Sequence, residues 1–295
     1  MGKAVPELIE GEIPMHKAIY AALAAASLLA MSGCKQATMG NSASGNAGSD
    51  NAAAPAGAAT IDGTWKTDMS TLKLDAKPEV LLLKAGQFTC STCTPPLTVA
   101  ADGAMHAVTG RPYADHISIK VDDDHHVSRT SQKDGKTTGT AKYSVSADGN
   151  TLTVDFNDMT GSKPVTGNYS ETRVAPAPAG AHAVSGSWKQ GNYGKVSDEG
   201  LTVTFKMDSD MLHMTNLTGQ SYDAKLDGSD TPIKGDIGGT TASVTKSGDS
   251  IVETDKRGGK VISVTTMTPG SDGKLHVANE DKQDGSTAKF DMNKQ

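Results

Sequence analysis

Large apolar side chains are scarce in this chain. Aromatic residues make up 4% of its 295 residues, and Leu, Ile, Val and Phe together about a sixth, so any core must be lean. Positive charge is in deficit: 28 Lys and Arg stand against 34 Asp and Glu, a formal net charge of −6. With no concentrated Lys/Arg stripe and too few aromatics for a base-stacking platform, the electrostatic footprint of a nucleic-acid binder is missing. The one long apolar run, Ala18 to Met31, is shorter than the roughly 20 residues that a membrane-spanning helix needs. No helical period follows it. Also absent are a Gly-x-Ser-x-Gly elbow, a His-Glu-x-x-His pair and a phosphate-cradling glycine loop. Ser-x-x-Lys does occur, as at Ser70/Lys73 and Ser243/Lys246, at the frequency a Ser- and Lys-rich chain produces by chance. No catalytic residue and no cofactor are expected, and the expectation is a protein that is not an enzyme.

What is present begins with Met15-His16-Lys17, a short basic start, followed by the Ala/Leu-rich run and then by Ser32-Gly33-Cys34. That order is a secretory signal ending in small residues. Leu28 to Cys34 (LLAMSGC) resembles the bacterial lipoprotein signal, in which the cysteine receives lipid and becomes residue one after cleavage. Met31 stands where that family usually has Leu. The resemblance implies a lipid-anchored protein of the cell envelope, with Lys35 after the cysteine directing it to the outer membrane, facing the periplasm or the cell surface. An ordinary secretory signal with an unmodified Cys34 is the alternative. Residues 1–33 are thus read as signal peptide, with 1–14 as a doubtful acidic extension before Met15. Residues 34–60, rich in Ala, Gly, Ser and Asn, cannot bury enough surface to offset their ordering entropy and are expected to form a disordered tether.

From Ile61 onward the chain repeats at a spacing of about 124 residues, the mark of a tandem duplication. Asp62-Gly63-Thr64-Trp65-Lys66 returns as Ser185-Gly186-Ser187-Trp188-Lys189, and Thr130 to Lys136 returns as Thr254 to Lys260. Val174 to Ala183 (VAPAPAGAHA) has the composition of a linker. The expected organisation is one module over 61–173, a linker over 174–184 and a second module over 185–295.

Both modules are expected to be all-β. Asp-Gly recurs at 62, 102, 134, 148, 227, 272 and 284, and this pair suits the positive φ angles of tight hairpin turns. Between turns lie alternating stretches such as His116–Val121, Thr151–Phe156 and Leu201–Lys206, which place apolar side chains on one sheet face. Gly63-x-Trp65 and Gly186-x-Trp188 open the modules, and an Arg late in the last strand, Arg173, follows in the first. This combination resembles lipocalins and related up-and-down barrels. The resemblance implies that the Arg packs across the Trp and closes the barrel base. In the second module only Lys289 or Lys294 is available for that part. Tandem antiparallel barrels and tandem sandwiches both accommodate the pattern.

Two clusters could carry chemistry. Cys90-Ser91-Thr92-Cys93 pairs the two cysteines left if Cys34 is lipidated, and an oxidising compartment favours a disulfide; thiol-redox exchange and metal binding are the alternatives. The duplicate is read as carrying Thr215 and Thr218 there. Asp122-Asp123-Asp124-His125-His126 is the densest ligand set, with Asp124, His125 and His126 the metal candidates, although neighbours on a strand diverge. The functional expectation is a non-enzymatic envelope lipoprotein that binds a small apolar or amphipathic ligand in a barrel mouth, or that serves as a structural module binding an envelope protein or glycan. The alternative is a thiol-redox or metal-binding protein using Cys90 and Cys93. Partners are the membrane, through the lipid, and no nucleic acid.

Overall fold

The computed structural model describes residues 60–295. Eleven strands come first: β1 (Gly63–Asp75), β2 (Glu79–Lys84), β3 (Gln87–Cys90), β4 (Leu97–Ala100), β5 (His106–Ala107), β6 (His116–Val121), β7 (His126–Lys133), β8 (Lys136–Val145), β9 (Thr151–Asp158), β10 (Val165–Ala175) and β11 (Gly186–Val196). After a single 3-10 turn at Asp198–Gly200 come β12 (Thr202–Asp208), β13 (Met211–Asn216), β14 (Ser221–Lys225), β15 (Asp227–Pro232), β16 (Thr241–Ser247), β17 (Ser250–Arg257), β18 (Lys260–Pro269), β19 (Lys274–Asp281) and β20 (Thr287–Lys294). The alternation read from the sequence is the alternation of burial. Val127, Arg129 and Ser131 of β7 point inward, and their neighbours outward.

The strands form two ten-stranded antiparallel sheets, each curled into a nearly closed barrel. In the first, backbone pairing of Asp102 with Lys120 brings the end of β4 to β6, and Gly103 N donates to Ile119 O at 2.9 Å. In the second, Ser221 and Lys234 exchange both backbone hydrogen bonds, at 3.0 and 2.8 Å. Near-closure of this kind leaves little exposed strand edge. Of the expected Asp-Gly turns, Asp134 (φ 51°) and Gly135 (φ 74°) make a two-residue link between β7 and β8 with both central residues at positive φ. At the other pairs only the glycine is at positive φ, and Asp227-Gly228 lie within β15 while Gly63 opens β1.

The expected module boundaries need correction. The first barrel runs in the order β4-β3-β2-β11-β10-β9-β8-β7-β6-β5, and the second in the order β14-β13-β12-β1-β20-β19-β18-β17-β16-β15. Each repeat therefore lends its opening strand to the other barrel. β1 lies between β12 and β20, with Trp65 opposite Val203 and Lys294. β11 lies between β2 and β10, with Trp188 opposite Glu79 and Arg173. The first barrel is thus one continuous segment from β2 to β11, inserted between the paired strands β1 and β12 of the second. Residues 174–184 do not link two modules. Val174 and Ala175 end β10, and the rest belong to the β10–β11 connection of the first barrel, where Val184 is fully buried and His182 N donates to Leu83 O at 2.9 Å.

Two separate cores follow. The first is built around Trp188, Phe88, Ile117, Ile119 and Leu152, and the second around Trp65, Phe205, Tyr222, Leu212 and Leu275. Across the seam, Tyr113 in the β5–β6 loop donates its hydroxyl to Asp236 Oδ1 at 2.6 Å, and Arg257 lies over its ring at 5.2 Å. Gly238 must remain small there, because a Cβ would strike that ring.

Candidate functional site

Arg173 does pack across a tryptophan, but across the partner that strand exchange delivers. Its guanidinium carbon sits 4.0 Å from the ring centre of Trp188, not Trp65. It also donates to Ser185 O at 2.6 Å, to Ala183 O at 2.8 Å and to Gly149 O. In the second barrel Lys294, not Lys289, fills this role, with Nζ 5.5 Å from the ring of Trp65. Lys289 is exposed. The indole N–H groups donate in matching fashion, Trp65 to Ile61 O at 2.7 Å and Trp188 to Val184 O at 2.8 Å. Gly63 (φ 131°) and Gly186 (φ 140°) have backbone angles that side chains avoid, and a Cβ on either would collide with Lys294 or Arg173. In each barrel the arrangement stacks a cation on the tryptophan that opens β1 or β11.

The interiors carry charge. In the first barrel Arg129 and Glu171 are each 5% exposed and Glu79 9%. Arg129 hydrogen-bonds the Tyr143 hydroxyl, and that hydroxyl also feels both carboxyls. Arg129 Nη2 donates to Ser131 Oγ at 2.8 Å. Burial, and then the nearby Glu79 charge, push the Glu171 carboxyl up to about 9, so it is held protonated at neutral pH. Burial also raises the Tyr169 and Tyr143 hydroxyls above the usual phenol range.

In the second barrel the equivalent positions hold Glu253 and Asp255. Tyr222 donates its hydroxyl to Glu253 Oε2 at 2.6 Å, and Ser263 donates to Asp255 Oδ2 at 2.8 Å. Burial, then the Asp255 charge, hold the Glu253 carboxyl well above its ordinary range. Burial raises Asp255 to about 6. The proton resides on Glu253 and is donated to Asp255, as expected when two carboxyls share a low-dielectric site. Duplication has thus placed a cation, Arg129, and an acid, Glu253, at the same interior position. Neither row stood out in the sequence. Val127-x-Arg129-x-Ser131 and Ile251-x-Glu253-x-Asp255 share the period of any half-exposed strand, and nothing local says which face turns inward.

Cys90 and Cys93 are joined by a disulfide, S–S 2.07 Å, at the end of β3. Both are buried, while Ser91 and Thr92 between them are exposed. Cys93 N donates to Cys90 Sγ at 3.1 Å. Glu79 Oε1 lies 3.7 Å from Cys90 Sγ, and the three potential ligand atoms fall within 4.8 Å of one another. The register corrects the expected duplicates. Cys90 faces Leu81 and Met214 faces Phe205, at the same step from Gly186 and Gly63. The counterpart of Cys90 is therefore the buried Met214, not Thr215, and that of Cys93 is Leu217, not Thr218.

The Asp122–His126 segment does not gather its imidazoles. His126 Nδ1 pairs with Asp123 Oδ1 at 2.7 Å, whereas His125 Nδ1 turns to Val145 O at 3.2 Å. Asp123 accepts from the backbone N–H of both histidines at 2.9 Å, and these contacts, His125 first, hold its carboxyl below the usual range. Asp124 is exposed. The segment is a self-bonded hairpin turn.

Cys34 and the tether lie outside the described residues, and no helix among the described residues is long and apolar enough to cross a membrane. No family model, no curated protein and no solved structure matches the chain.

Proposed function

We propose that this protein is a non-enzymatic, lipid-anchored component of the cell envelope, whose paired barrels bind a small amphipathic ligand or an envelope partner. The observation that carries the reading is the segment Leu28 to Cys34 with its basic start and apolar run, leading through a polar tether into barrels closed against edge pairing. Each interior combines an apolar wall with one polar station, Arg129/Glu79/Glu171 in the first barrel and Tyr222/Glu253/Asp255 in the second. A ligand with an apolar body and one hydrogen-bonding head matches that division, since small-molecule sites are mostly apolar with few placed polar groups. The neutral Glu171 and Glu253 carboxyls would meet such a head without the cost of a buried unpaired charge.

Intact mass spectrometry of the detergent-extracted protein tests this. A chain beginning at Cys34 with diacylglycerol and acyl mass, carrying a non-covalent lipid or other amphiphile under native conditions, is the expected result. An unlipidated chain with nothing bound and no uptake of fluorescent fatty-acid probes would refute it.

A further inference from the structure

We infer that Cys90, Cys93 and Glu79 form a redox-gated binding site for a thiophilic divalent cation such as Zn2+, closed while the disulfide stands and opened by its reduction. The inference is independent of the anchoring proposed above. Three features carry it. The two sulfurs and a Glu79 oxygen already lie within 4.8 Å of one another: Glu79 opens β2, Cys90 ends β3 opposite Leu81, and Cys93 lies in the bend that follows, tied to Cys90 by the disulfide. The Cys93 N–H already donates to Cys90 Sγ, and a hydrogen bond of this kind favours the thiolate that a metal needs. Glu79 also shares the interior of the first barrel with the buried Arg129, and both act on the Tyr143 hydroxyl. Two thiolates and a carboxylate around a divalent cation leave one net negative charge, and a buried guanidinium offsets it.

The step balances. A dithiol reductant attacks the Cys90–Cys93 bond, which breaks as the reductant closes to its own disulfide, leaving two protonated thiols. Metal binding then displaces both thiol protons to solvent, the sulfurs and Glu79 supply three ligands, and water completes a four-coordinate set. Thr92, whose hydroxyl is 3.9 Å from Cys90 Sγ, marks the exposed side from which reductant and metal enter. No other group of three His, Cys, Asp or Glu ligands this tight occurs among the described residues.

The test uses the full chain carrying Cys34→Ser, so that Cys90 and Cys93 are its two remaining cysteines, reduced with dithiothreitol and freed of it by anaerobic gel filtration. Titration with Cd2+ should give a thiolate-to-metal charge-transfer band saturating at one equivalent, and equilibrium dialysis should show one Zn2+ per chain. The oxidised protein should show neither. Glu79→Gln should weaken Zn2+ binding by about tenfold or more, and Cys90→Ser with Cys93→Ser should abolish the band. Absence of the band in reduced protein would overturn the inference. So would Zn2+ uptake that survives in the double serine variant, which would place the metal on the exposed histidine–aspartate pairs. Loss of the far-ultraviolet sheet signal on reduction would also overturn it, because the strands must hold Glu79 beside the thiols.

Discussion

Replacing Glu171 by Gln should stabilise the protein, and increasingly so as pH rises. Burial, and then the Glu79 charge, push the folded-state carboxyl up to about 9, against about 4.5 for an ordinary glutamate. Between those limits the native state retains a proton that the unfolded chain has released. Stability is then fully present below about 4.5 and falls as pH rises, by about 1.4 kcal/mol per unit, until the folded group itself ionises. At pH 8 the carboxyl therefore costs about 5 kcal/mol, a large share of a typical domain's total. Gln is neutral in both states and of the same shape, and it keeps a donor where the protonated acid had one, so local packing changes little. Urea denaturation of wild type and Glu171→Gln at pH 5, 6.5 and 8 reads this out. The expected result is near-equality at pH 5 and a gap widening to several kcal/mol at pH 8 in favour of the variant. The lowered surface aspartates, such as Asp223 beside His213 and Lys234, lose their contribution only on acidification and are common to both proteins. A gap that does not change with pH, or a variant less stable at pH 8, would refute the buried neutral acid.

Other outcomes follow from the same structure. Arg173→Ala should cost about 2–4 kcal/mol, through three lost carbonyl bonds and the stacking on Trp188, seen as a lowered thermal midpoint. Gly186→Ala should cost more than Gly63→Ala, because the added Cβ meets the anchored Arg173 guanidinium and a backbone oxygen in one case but the flexible end of Lys294 in the other. Because the first barrel is continuous from β2 to β11, residues 79–196 expressed alone should give a dispersed amide spectrum, whereas residues 185–295, which lack β1, should not. The Cys90→Ser/Cys93→Ser protein should fold and lose only about 2 kcal/mol, since so short a loop restricts the unfolded chain little. Ellman titration of unreduced residues 60–295 should find neither Cys90 nor Cys93 free.

The residues alone made legible the all-β class, most of the turn positions, the duplication and a disulfide as the favoured state of Cys90 and Cys93. Each rests on local chemistry: alternation at period two, Asp-Gly dihedrals, repeated motifs and two thiols three residues apart. Closure into barrels rather than sandwiches, the exchange of β1 and β11, and the identity of each tryptophan's cationic partner belong to the tertiary structure alone. Trp65 and Trp188 open equivalent strands, so the slots beside Arg173 and Lys294 look alike along the chain, and only the assembled sheets show which strand fills which. The interior rows Arg129/Ser131 and Glu253/Asp255 were hidden for a related reason. A charged residue at period two reads as an outward face until a partner such as Glu79, Tyr143 or Tyr222, brought from a distant strand, makes its burial tolerable.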